Sequence, residues 1–581
     1  MLFRSLPINF SRLCRLIRKP EAAAQPQNYT RRLSEKQSFS ANRAAKPQKL
    51  ALLSVLALCL CVSAVNLSCS SKPTDLRTLV PADTLVYLET NDLAAALQPI
   101  VDGKPFTQVA HSKPNFSALK RVKVAVAVTG FETTEEKLTE EHSVGRVKPR
   151  FVAIIDANLW DSQAVLFAET KLNEIVQEML GGDAKGGRSQ RSRETGGTYI
   201  TWGSNTGLAH ALILDGLIYF SNDESAIDKC LAVRRGEADS IAKSGKVKPA
   251  DPKTLAAGYV STDGVAQIAS ILGMQFAAES SDEPEIQSAI AGILPQLIRN
   301  SITEVSWTTA KTDEGIEDKY LISMPSDIAV VFAETMAPGD ESATAILSQL
   351  PVDTVSLTAY NVKKPQIAWR SVVLTAQKLI DPIAGKMIVE SSALFFEPYG
   401  VRDPETFLSS VGSSIVTARF DLEGEQPVVF AKANEPAKIK ESFASDIRRL
   451  KDPSPTTNSD PTVEQWRSED GDLAAAFAGS WVIVGDAKSV GRCLDEKPDG
   501  GFGFTPFGRR MNASRASVTT FSRDTTTILS LINLLAREGH GDTKADSNYI
   551  TETRFTKTGI DRRTVSDFGL IGSIIAQLDR D

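Results

Sequence analysis

The chain has 581 residues, 42% of them hydrophobic and 7% aromatic, and a formal charge of −6. This content excludes a disordered body. The charge is unevenly spread: residues 1–49 hold eleven basic and two acidic side chains, leaving 54 basic and 69 acidic residues, a balance of −15, for the rest. An acidic body argues against a nucleic-acid partner, which wants a basic face.

The basic leader gives way to Leu50–Ser71, which carries no charge at all. A bilayer core is spanned by roughly 20 apolar residues, so this segment is long enough to cross. The basic flank should stay cytoplasmic, and everything beyond Lys72 should be exported. Three processing fates fit the segment. As an uncleaved signal anchor it tethers the body to the membrane. As a signal peptide it offers Val62-Ser63-Ala64 as a small-residue cleavage pattern. As a lipoprotein signal it offers Leu67-Ser68-Cys69, with Cys69 as the lipidated residue, although Asn66 stands where such a signal carries Leu. The Arg-rich start also has the composition of a mitochondrial transit peptide.

Beyond the anchor the chain says nearly the same thing twice. Pro81, Asp83 and Thr84 return as Pro351, Asp353 and Thr354 at one constant offset, and Gly216, Asp223 and Cys230 return as Gly479, Asp486 and Cys493 at another. The spacing predicts two tandem homologous domains, 75–335 and 343–581, joined by a linker at 336–342 where Pro, Gly and charge cluster.

Within each repeat the predicted elements run in the same order. Pro81–Thr90 is a turn and strand, followed by a helix over Leu93–Val101 capped by Asn91-Asp92. Val122–Thr129 and Phe151–Ala157 are strands, echoed by Ser414–Phe420 and Pro427–Ala433. Apolar residues at helical spacing follow, from Val165 to Met179 in the first repeat and from Ile439 to Leu450 in the second. A strand pair closes on Gly216 or Gly479, and a Cys-bearing helix comes next. Ala257–Ser261 and Ser517–Ser522 are strands leading into helices capped at Asp263 and Asp524, and each repeat ends on a strand and a turn at Gly315 or Gly559. This is an α+β pattern of antiparallel sheet packed with helices. The first repeat adds a Gly- and Arg-rich loop, Gly181–Gly187 with Arg188, Arg191 and Arg193, and an amphipathic helix over Ser280–Asn300.

Chemistry is sparse. The Gly181–Gly187 run lacks the Gly-Lys-Ser/Thr ending of a phosphate loop and follows a helix, so it reads as surface. His111, His142, His210 and His540 have no metal-ligand spacing, and no nucleophile elbow or Cys–His pair is present. His210 falls on a strand opposite Leu473 of the second repeat. The recurring carboxylates, Asp83/Asp353 and Asp223/Asp486, sit in turn and cap contexts, though a twinned acid–base pair would need such residues close in space. Cys230 and Cys493 fit buried helix positions, and an exported location would also permit a disulfide between them. No catalytic residue, cofactor or metal site is expected.

In Gly400-Val-Arg-Asp403-Pro404-Glu405 running to Gly412, Asp403 should cap a helix that starts at Pro404 and stops at Gly412. This phrase, with Leu350-Pro351-Val352-Asp353-Thr354, resembles segments of uncharacterised bacterial envelope proteins in which a membrane anchor precedes an L-P-x-D-T strand and a G-x-D-P-E helix. The chain departs by Val80 for Leu in the first repeat and by one extra residue after Gly400. The resemblance implies an exported bacterial protein and says nothing about catalysis. The duplication, which makes a bilobed unit with a cleft or shared face, leads to the expectation of a non-enzymatic binding or scaffolding module of the periplasm, held at the inner membrane by residues 50–71, with an envelope protein or polymer as partner. The alternatives are a carrier or sensor of an apolar ligand, with Ile528–Leu535 as a cavity wall, and a hydrolase with an unrecognised site.

Overall fold

The computed structural model describes residues 75–577, apart from 138–142, 174–175, 177–184, 192–195, 205–206, 249–250, 252, 281–283, 342, 422–427, 451–462, 496–499, 525 and 537–545. The apolar segment Leu50–Ser71 and Cys69 lie outside the described residues. Among the described residues no helix is long and apolar enough to cross a membrane.

The first half contributes β1 (Val86–Thr90), β2 (Lys123–Lys137), β3 (Ser143–Asp156), β4 (Lys185–Arg191), β5 (Thr198–Ser204), β6 (Gly207–Leu214), β7 (Leu217–Ser221), β8 (Thr254–Val260), β9 (Glu304–Thr312) and β10 (Gly315–Ser323). The second contributes β11 (Ser356–Asn361), β12 (Val411–Arg419), β13 (Val428–Ala433), β14 (Arg448–Arg449), β15 (Glu464–Arg467), β16 (Leu473–Ala478), β17 (Trp481–Asp486), β18 (Val518–Asp524), β19 (Ser547–Thr556) and β20 (Gly559–Ser566). Among the described residues these twenty strands belong to one antiparallel sheet. The pairings order the first half β4-β5-β6-β7-β3-β2-β1-β8-β9-β10. From β20 outward the second half runs β20-β19-β18-β11-β12-β13-β17-β16-β15-β14.

The halves join through β10 and β20. Lys319 and Arg563, each four residues beyond its hairpin glycine (Gly315 or Gly559), face each other in the register. Glu317 pairs with Val565 and Leu321 with Asp561, so the pairing is symmetric about that point. The strand order on either side mirrors that on the other.

Alternation along the strands divides the core into two faces. On β2, Val124 and Val126 join one cluster and Ala125 and Ala127 another. On β13, Phe430 and its neighbours Val429 and Ala431 divide likewise. The front face carries most of the helices. Here the halves exchange cover: Ile528, Leu531 and Ile532, together with Phe568 and Ile575 from the C-terminal end, complete a cluster with Leu93, Leu97 and Ile100 of the first half. In return Ile328 and Phe332, on the helix Ser326–Thr335, pack against Leu379 and Ile560, and Phe332 meets Phe555 edge-on at 5.9 Å. The back face is covered by the helix Glu224–Arg234, which carries Cys230, in the first half, and by Ala487–Leu494, which carries Cys493, with Thr344–Gln349 and Pro506–Ala513 in the second.

Four local expectations are corrected. The helix expected from Ile439 to Leu450 covers only Pro436–Glu441, because the Ser442 carbonyl accepts the N–H groups of Arg402 and Asp403 instead of continuing the helix. The helix Thr262–Ser280 is started by Ser261, whose hydroxyl accepts the Gly264 N–H; Asp263 lies in its first turn. Gly412 does not stop the helix Pro404–Ser410 but sits inside β12, where a Cβ would lie 2.4 Å from Glu341 Oε2. Arg188 and Arg191, expected in a loop absent from the second repeat, lie on edge strand β4, whose counterpart at the opposite edge is Arg448-Arg449 of β14. Charged edge strands oppose edge-to-edge aggregation.

Candidate functional site

The recurring Pro-x-Asp-Thr phrase proves to be a strut. Thr84 Oγ1 donates to the Pro81 carbonyl at 2.7 Å and Thr354 Oγ1 to the Pro351 carbonyl at 2.5 Å, both fully buried. The adjacent carboxylates reach the Cys-bearing helices: Lys229 Nζ lies 3.2 Å from Asp83, and Arg492 Nη2 donates to both Asp353 oxygens at 2.9 and 2.8 Å. Asp223 and Asp486 cap those same helices through the N–H groups of Ser225 and Ser489. The four carboxylates are thus spread over two struts, one in each half, and are not gathered into a pair. Cys230 and Cys493 are buried in separate cores, so no disulfide joins the halves. Burial raises the Cys230 thiol to about 12, which makes it inert as a nucleophile.

His210 is a buried residue of β6, its ring 6.0 Å from that of Tyr199. Burial pulls its pKa down, outweighing Glu224 and Asp223. His142 and His540 lie outside the described residues. Among the described residues no cluster of His, Cys, Asp and Glu could hold a metal ion. The apolar helix considered as a cavity wall is core: Ile528 and Leu531 are fully buried.

What sequence reading missed is the junction itself. The helices packed on β9, β10, β20 and β19 lie on the front: Thr262–Ser280 on β9, Ser326–Thr335 on β19 and β20, and Gly569–Gln577 on β10 and β20. On the back of these four strands Thr308, Lys319, Leu321, Arg554 and Asp561 are exposed, Leu321 at 45%. The uncovered window spans the four strands, about 15–20 Å at the usual strand spacing, and closes where Val565 and Ile550 are buried. The helix Pro506–Ala513 reaches its edge, where Arg510 Nη1 lies 3.0 Å from Glu314 Oε2.

At the Lys319–Arg563 pair the window has a charged centre. Glu317 is 6% exposed beneath Lys319, whose Nζ is 2.9 Å away, and Arg563, whose Nε donates to it. Arg563 also reaches Glu552 Oε2 at 3.4 Å. Burial alone would raise the Glu317 carboxyl; the hydrogen bonds from Lys319 and Arg563 overcome it and hold the group below its ordinary value. Lys319 and Arg563 stand side by side over two carboxylates, Glu317 and Glu552, with Leu321 and Asp561 next to them on the same face. Only the central alternation of β10 and β20 could have flagged it in the sequence, and that alternation does not say which strands are neighbours.

Comparisons of the chain with protein-family models, with curated proteins and with solved structures returned no match.

Proposed function

We propose that the protein is a non-enzymatic binding or scaffolding module of the bacterial envelope, built by tandem duplication and exported behind the apolar segment Leu50–Ser71. The duplication is supported by the recurring phrases and by the mirrored strand order about Lys319 and Arg563. The basic leader and the uncharged segment after it support export. The observation that carries the binding role is the open back of the four central strands, between the helical caps of the two halves. A partner there would touch both halves at once.

The test uses full-length protein with a photo-crosslinking residue at Leu321, and as control at Ile383, which is 77% exposed elsewhere. A discrete envelope adduct at Leu321, absent at Ile383 and lost in Lys319→Glu with Arg563→Glu, is expected. No adduct at Leu321 in correctly localised protein overturns the role of this face. Intact-mass analysis of the mature protein tests export: a full-length, detergent-requiring species marks the anchor, a lipid-modified chain starting at Cys69 a lipoprotein, and a soluble chain starting at Val65 a secreted protein.

A further inference from the structure

The outer edge of the first half buries an imidazole nitrogen that nothing bonds. His210 of β6 is 5% exposed, and its Nδ1 is enclosed without a hydrogen-bond partner. It stands in register with Thr201 of β5 on one side and Ser221 of β7 on the other. The Ser221 hydroxyl is already committed, to the Phe151 carbonyl and the Asp223 N–H. Tyr199 of β5, its ring centroid 6.0 Å from that of His210, has a buried hydroxyl that is likewise without a partner.

The helix Glu224–Arg234 packs on this face. Its start supplies the charges that act on His210, Glu224 and Asp223, and Asp228, one turn on, acts on Tyr199. None of them bonds Nδ1 or the phenol. Asp223 is occupied by the Ser225 N–H and lies 3.9 Å from Arg150 of β3. One strand further out, Arg188 of β4 is in register with Thr201. Nor does the fold require a histidine here. Counted back from the last pairs of the two hairpins, Leu214 with Leu217 and Ala478 with Trp481, the pair matching His210 and Ser221 is Ala474 and Gly485.

An imidazole so placed is comfortable only while neutral. A proton would put a cation where water is shut out, with no acceptor for the new N–H at Nδ1. The unfolded chain takes up the same proton near pH 6.5. Below that pH the native state therefore binds fewer protons than the unfolded one. The stabilising contribution is complete above about pH 6.5, is lost as pH falls from there to the native pKa, and levels off below it.

We propose that His210 is a buried proton-binding site that makes the outer edge of the first half acid-labile, over β5–β7 and the start of the helix Glu224–Arg234, while the matching edge of the second half does not respond. Opening of the edge returns the imidazole to water, so acid favours the open form. The export proposed above would expose this site to the pH outside the cell. The site and the partner window stand or fall separately.

The test is hydrogen exchange of the full-length protein from about pH 7.5 to about pH 5, in wild type and His210→Leu, with rates corrected for the intrinsic pH dependence of exchange. The ratio of β5–β7 protection in wild type to that in His210→Leu should fall below about pH 6.5, by up to about tenfold per pH unit, the slope of one proton. Ionisations elsewhere are common to both proteins and cancel in this ratio. For β15–β17 the ratio should stay constant. Glu224→Gln removes a carboxylate that favours the imidazolium, and should extend the fall to lower pH. A β5–β7 ratio constant with pH overturns the proposal and leaves His210 a structural residue. A ratio that rises on acidification overturns it too, because the folded state would then hold the proton more tightly than the unfolded chain. Should His210→Leu not fold, His210→Asn carries the same comparison, because it keeps a polar group that takes up no proton; a constant ratio there overturns the site.

Discussion

Asp318 and Arg562 occupy matching positions of the two central strands yet meet different surroundings. Asp318 is 1% exposed, and burial raises its carboxyl to about 6 against the hydrogen bonds from Thr309 and the Leu570 N–H. The native state therefore holds this proton more tightly than the unfolded chain, whose Asp titrates near 4. The stabilising contribution is complete below about pH 4 and is lost as pH rises through about 6. Asp318→Asn cannot ionise, and its amide can still accept from Leu570 and donate to Thr309. Its stability relative to wild type should thus climb by about 1–3 kcal/mol between pH 4 and pH 6 and level off above. Urea unfolding of both proteins across that range checks this; a difference constant with pH would show that Asp318 keeps an ordinary pKa.

At the scale of elements, the sheet admits close contacts that periodicity does not reveal. Gly258 of β8 pairs with Trp307 of β9, and a Cβ on Gly258 would lie 2.1 Å from Trp307 Nε1. The indole, 8% exposed, therefore lies across the bare backbone of β8. Gly258→Ala should destabilise the protein by about 1–3 kcal/mol through overpacking. Combining it with Trp307→Leu should recover part of that loss, and a double-mutant cycle measures the coupling. Additive effects would mean that the ring moves aside freely. Other elements follow local chemistry more plainly. Asp92, Asp223, Asp403, Asp486 and Asp524 each accept backbone N–H groups at helix starts, as cap residues should. Where such readings failed, as at Ile439–Leu450, a distant segment had taken the backbone group that the helix needed.

At the scale of the whole molecule, the two halves are bound by more than the 336–342 segment. They share the β10–β20 pairing and exchange helices across the front face. Leu531, from the second half, is fully buried in the cluster that covers β2 and β3 of the first. Leu531→Ala should cost about 2–5 kcal/mol, as a large-to-small change in a packed core does. The loss should appear in the first half as well: hydrogen exchange at β2 and β3 is expected to accelerate together with that at β18 and β19. Faster exchange confined to the second half would show that the halves unfold independently.

The sequence by itself determined what short-range chemistry dictates. Alternating β-formers marked the strands, Asp and Pro marked the helix starts, and Pro-x-Asp-Thr marked the turn closed by Thr84 and Thr354. The α+β class with a large antiparallel sheet was legible for the same reason, because strands buried on both faces, such as Val124–Ala127, read as short continuous apolar runs bounded by turn residues. Only the tertiary structure decided that all the strands join one sheet, that β10 meets β20 with Lys319 against Arg563, and that Ile528 and Leu531 complete the core of the other half. Hydrophobic burial has no direction and does not name its partner, and a strand edge can pair with any compatible edge. The candidate surfaces were hidden for that reason. Lys319 and Arg563 are ordinary charged residues in sequence, and they acquire meaning only when two strands far apart in the chain lie side by side.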